Sequence, residues 1–167
     1  MRAPLAALAL ALAAALAPAA WAQDAAALRP CRADDLPGVW EVVRLRASSS
    51  WPVDRSQPYY FQFQRYVFTA DGRARHLTAT MPIGPAQHEV MVSTPATARW
   101  SLDERGWLTL DKEHGPPDVS QCQMVERQIV DSRQRVTANP GEVLLTYYSK
   151  NAPVMRRQLA KHPTLTP

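Results

Sequence analysis

What most constrains this chain is the period of its apolar residues. From Leu36 onward no window keeps apolar side chains at i, i+3, i+4 and i+7 over three turns, the pattern a surface helix needs. Short runs that alternate apolar with polar residues recur instead, bounded by Gly, Pro, Asn and Asp. Eight strands are expected, at 39–45, 59–69, 73–80, 88–94, 96–102, 107–112, 121–130 and 142–149, with 154–161 as a ninth. Asp71-Gly72 and the Asp103-Glu104-Arg105-Gly106 turn read as hairpins, because a glycine there accepts a positive φ. Asn139-Pro140-Gly141 is a further turn, and 48–54, 81–85 and 113–118 are proline-bearing loops. Strands joined this locally predict an all-β fold and favour one antiparallel barrel or sandwich over a βαβ scheme.

Alternation within the strands indicates a buried face. Val143, Leu145 and Tyr147 share one side, as do Ala98, Trp100 and Leu102. Phe61 and Phe63 alternate with Gln62 and Gln64, but Tyr66 and Phe68 fall on the opposite face. Either a bulge near Arg65-Tyr66 or a strand buried on both faces at one end accounts for the reversal.

Ahead of the strands, residues 1–22 have the form of a secretory signal peptide. Arg2 supplies the positive start, an Ala/Leu run follows to Ala17, and Ala20-Trp21-Ala22 makes an A-x-A cleavage site. The run is too short to span a bilayer core of ~30 Å as a permanent helix. Leu28-Arg29-Pro30 ahead of Cys31 is no lipobox, so no stable membrane anchor is expected. The division is then a leader at 1–22, an N-terminal segment at 23–35, a barrel domain at 36–161 and a tail at 162–167. The mature chain is expected in the periplasm or secreted medium. In that oxidising setting Cys31 and Cys122 are expected to form one disulfide, and the absence of C-x-x-C disfavours a metal or redox pair. A formal charge of +4 on an exported chain is no argument for a nucleic-acid partner.

Gly38-Val39-Trp40, at the head of the first strand, resembles the G-x-W signature of lipocalins and lipocalin-like bacterial domains. The continuation through Glu41-Val42-Val43 and the aromatic strand into Phe68-Thr69-Ala70-Asp71-Gly72-Arg73 is similar to their small bacterial members. Leu144-Leu145-Thr146-Tyr147-Tyr148 resembles their T-D-Y motif, with Tyr147 where Asp would stand. The resemblance implies a single up-and-down barrel of about eight strands, with Trp40 as a structural plug at its closed end. It further implies Arg156 or Arg157 packed over the Trp40 ring, a cation–π contact of about 1–2 kcal/mol. No C-terminal helix follows the last strand, which departs from the family.

Such a barrel is expected to hold a small apolar or amphipathic ligand at its open end, lined by Phe61, Phe63, Trp100 and Tyr147. Arg65, Arg99 and Arg127 each sit in an expected strand between apolar neighbours. Any of them that turned inward would need a carboxylate or an anionic ligand, and outward placement is the ordinary outcome. The alternative is a periplasmic protein-interaction module, an inhibitor or assembly factor with a filled barrel. Its working surfaces would be the 48–58 and 81–87 loops, which carry Trp51 and Met81. His76, His88, His114 and His162 fall in no metal-binding spacing, and no nucleophile stands beside a base. No cofactor, metal or catalytic residue is therefore expected.

Overall fold

The alternating runs pair in chain order, each with the run that follows it. The computed structural model describes residues 27–49 and 51–167; the expected leader at 1–22 lies outside the described residues. The strands are β1 (Leu28–Pro30), β2 (Gly38–Ala47), β3 (Phe63–Phe68), β4 (Arg73–Ala79), β5 (Ala98–Leu102) and β6 (Trp107–Lys112). They continue as β7 (Asp118–Val125), β8 (Ile129–Val130), β9 (Val136–Ala138), β10 (Val143–Ser149) and β11 (Ala152–Lys161). One helix, α1 (Pro85–Ser93), and 3-10 turns at Ala33–Asp35 and Pro58–Tyr60 complete the described elements.

Strands β2 to β7, β10 and β11 are antiparallel neighbours in sequence order, and β11 returns to pair with β2. Because β6 also pairs with β7, the sheet closes into an eight-stranded up-and-down barrel. The short β1 lies beside β7 where β6 leaves off, matching Leu28 to Val125 and Pro30 to Gln123. The Cys31–Cys122 disulfide forms next to it, as expected.

The interior is a continuous apolar core that includes Trp40, Tyr66, Phe68, Leu108, Leu145 and Leu159. At one end the N-terminal segment lies across the barrel, where Trp40 Nε1 donates to the Leu36 carbonyl at 2.7 Å. The other end carries the connections 48–62, 80–97, 113–117 and 150–151.

Three expectations are corrected. Residues 88–94 are not a strand: Pro85 starts α1 at its first turn, and His88, Met91 and Val92 fall at i, i+3, i+4 against the outside of the barrel. Residues 59–69 form a strand only from Phe63, because Pro58 opens a 3-10 turn. Residues 121–130 split, since β7 ends at Val125 and Ile129–Val130 pairs with β9 in a hairpin beside Leu144 on the outside of β10. The reversal at Arg65-Tyr66 is resolved as well. No register break interrupts β3 against β2 or β4, and residues 64–68 are buried throughout. Gln64, Tyr66 and Phe68 face the interior, while Val67 packs outward in the cluster that α1 covers.

Candidate functional site

Parity along β11 decides the character of the barrel interior. Met155, Arg157 and Leu159 are the buried inward positions, so an arginine stands in a row of apolar side chains. Arg157 is 0% exposed. Its guanidinium carbon lies 4.1 Å from the centre of the Tyr59 ring and 4.9 Å from that of Tyr147. Its Nε donates to Gln64 Oε1 at 3.1 Å and its Nη2 to the Tyr59 carbonyl at 2.9 Å. Among the described residues Nη1 has no hydrogen-bond partner, and no carboxylate lies within ion-pair distance of the group.

Around this cation the polar groups form a fixed chain. Gln64 Nε2 donates to the carbonyls of Phe61, at 2.6 Å, and Tyr59, at 3.2 Å. Its Oε1 therefore faces the interior as an acceptor. His76 Nε2 sits 2.9 Å from that oxygen, so the ring carries its proton on Nε2 and leaves Nδ1 as an acceptor. The imidazole stacks on Tyr66, with centroids 4.3 Å apart, and meets the Tyr59 ring edge-on. Burial, reinforced by the positive charges of Arg157 and Lys112, pushes the His76 pKa down to about 3. The Tyr66 and Tyr147 hydroxyls lie 3.3 Å apart, and burial raises both above the usual phenol range. At neutral pH the described groups of this chamber are thus one cation and neutral rings, with no anion among them.

Of the seven residues expected to line a ligand site, only Tyr147 belongs to this group. Trp100 also contributes to the core, but near the β3–β4 turn, where its Nε1 donates to the Thr69 carbonyl at 3.0 Å. Phe61 follows the 3-10 turn and supplies its carbonyl to Gln64. Phe63 packs outside the wall against the α1 cluster, because β3 parity gives the interior to Gln64, Tyr66 and Phe68. Arg65 shares that outer parity yet is only 4% exposed, with Glu41 Oε1 3.6 Å away. Arg99 is exposed and opposite Asp111 across β5 and β6, and Arg127 is exposed beyond the end of β7.

The ring of Trp40 is capped by a different residue from the one the resemblance implies. Lys161 Nζ lies 5.4 Å from its centroid, whereas Arg157 points into the chamber and Arg156 faces outward, its Nε donating to Thr146 Oγ1 at 3.1 Å.

Arg157 was not expected as an interior charge, nor were Gln64, Tyr59 and His76 as its neighbours. The signal was available in part. Arg157 shares period-2 parity with Met155 and Leu159, and His76 with Ala74. Tyr59 had none, since it comes from a turn and not from a strand. The closed antiparallel barrel is compatible with a lipocalin-like fold, while no protein-family model, curated protein or solved structure matches the chain.

Proposed function

We propose that this chain is an exported, lipocalin-like binding protein whose barrel receives a small amphipathic molecule, its anionic group meeting Arg157. One observation carries the reading: Arg157 is buried and charged, yet redundant for hydrogen bonding. Each acceptor it serves has a second donor, His76 on Gln64 Oε1 and Gln64 on the Tyr59 carbonyl. Burying an ion without a counter-ion costs several kcal/mol, of which two tyrosine faces return about 2 kcal/mol each when desolvated. A group that the fold does not need for satisfaction, kept at that cost, is suited to an anion. The ligand would replace the Tyr59 carbonyl at Nη2 and engage the unpartnered Nη1, so the 3-10 turn at Pro58–Tyr60 is the part that yields. Export rests on the leader-like 1–22 and is supported by the disulfide.

A filled barrel acting as a protein-interaction module is the second reading. It is favoured by the tight interior, where Trp40, Tyr66, Phe68, Leu108 and Leu145 are each at most 1% exposed. Native mass spectrometry of the protein isolated from the cells that make it, together with melting curves in dodecanoate and dodecyl phosphate, separates the two. A bound small molecule, or a melting rise that Arg157→Met abolishes, supports the binding protein. Ligand-free wild type with no rise in either amphiphile would overturn it in favour of the filled barrel.

A further inference from the structure

A second basic site lies outside the barrel, and a bulge in β2 creates it. Val42 faces Leu159 and the next pair is Arg44 with Gln158, so Val43 is the extra residue. Trp40 and Val42 point inward, and unbroken alternation would carry Arg44 and Arg46 in after them. With the bulge, Leu45 packs on the core and both arginines emerge on the outer wall. There Arg46 stands directly opposite Arg156 of β11, an unfavourable pairing of like charges.

Among the described residues no carboxylate is within ion-pair distance of Arg44, Arg46 or Arg156. Glu142 is engaged by Gln158 Nε2 and the Asn139 amide. Arg44 Nη1 reaches the Thr137 carbonyl of β9 at 3.1 Å, tying the β8–β9 hairpin to the wall. Between hairpin and wall lies a groove of about 120 Å³, with Leu28, Ile129, Ala138 and Leu144 supplying its apolar surface and the three arginines its charge. This is smaller than the enclosed apolar cavity of about 150 Å³ that holds benzene, and it is open to solvent, so the groove suits one face of a ring or a short alkyl chain.

We propose that this groove binds a small carboxylate with a ring-sized or short-chain body. The body lies on the apolar surface, and the carboxylate is received between Arg46 and Arg156, whose planar forks match its two oxygens. An anion placed there also relieves the repulsion within the pair. This site is separate from the Arg157 chamber and stands or falls without it.

Calorimetric titration of the mature, disulfide-bonded chain with benzoate and hexanoate tests the proposal. Both should bind more weakly as salt rises, while benzyl alcohol should not bind. The Arg46→Gln/Arg156→Gln double variant should lose affinity by about tenfold or more, and Arg105→Gln, a change at an exposed arginine in the β5–β6 turn, should keep it. The double variant should melt no lower than wild type at low ionic strength, which separates lost binding from lost fold. Three results would each overturn the proposal: no binding at millimolar ligand, affinity unchanged in the double variant, or inorganic phosphate binding as tightly as benzoate. If Arg157→Met abolishes binding while the double variant keeps it, the carboxylate occupies the interior chamber and the groove proposal fails.

Discussion

Trp40 is 1% exposed and meets both ends of the folded segment, through Leu36 below it and Lys161 over its ring. Trp40→Ala should therefore cost about 3–5 kcal/mol in urea unfolding, whatever the protein binds. Lys161→Ala should cost about 0.5–1 kcal/mol, and Arg156→Ala nothing comparable, which reverses the order that the family resemblance implies. Gly38 belongs to the same contact. Its φ is +144°, and a Cβ there would come within 2.7 Å of Lys161 Cε, so the glycine of G-x-W leaves room for the lysine stem.

Half-buried His76 and buried His88 set a pH dependence with a definite sign. An unfolded imidazole titrates near 6.5, while folded His76 is held down to about 3. Between these values the unfolded state binds more protons, so stability falls as pH drops below 6.5 and goes on falling toward 3. His88 acts in the same direction, lowered by burial and then by Arg65. Carboxylates such as Asp71 and Asp131, held near 2 by hydrogen bonds from Arg73 and Arg135, add their loss as pH falls below about 5. Thermal melts between pH 6.5 and about 5 thus isolate the imidazoles. His76→Gln should flatten the decline over that range, and an unchanged slope would show that the ring titrates normally in the fold.

At the scale of elements, the β5–β6 hairpin is a tightly constrained connection. Gly106 has φ +82°, and a Cβ on it would lie 2.8 Å from the Cys122 carbonyl and 3.0 Å from Pro30. Gly106→Ala should lower stability by about 1–3 kcal/mol through backbone strain and displacement of β1, read as a lower melting temperature. This turn was legible in the sequence because Asp103 can accept from the turn's own amides, as it does from Arg105 and Trp107, and Gly106 accepts a positive φ. Strands β6 and β10 were equally legible, since Leu108 and Leu110, and Val143, Leu145 and Tyr147, all keep one parity against the core. Helix α1 was hidden by two features. One of its three wall-facing positions is His88, which does not count as apolar, and Val90, 69% exposed, makes the run look like a strand. The Arg157 chamber was hidden for a related reason. A charge is read as outward by default, and only its neighbours' parity places it inside.

At the scale of the whole molecule, closure and clamping are distinct. The barrel closes through β11 on β2 and β6 on β7, and neither pairing involves β1 or the disulfide. The Cys31–Cys122 bond spans 91 residues and fastens the N-terminal segment, with Leu36, across the end that Trp40 plugs. In the chain-entropy model a loop of that size contributes about 4–5 kcal/mol, a large share of the ~5–15 kcal/mol that holds most domains together. Reduction should consequently lower the melting temperature strongly while leaving the far-ultraviolet circular dichroism at 25 °C close to native. Local release should accompany it. Once the bond is cut, β1 is held by three residue pairs with β7 and by Arg29 against Asp35 and Glu126. Trypsin should then cleave after Arg32 in the reduced protein before it cuts within the barrel strands, and should spare that bond in the oxidised protein. If reduced and oxidised forms melt together and are digested alike, the strand pairing of β1 alone fastens the plug and the disulfide adds nothing to the fold.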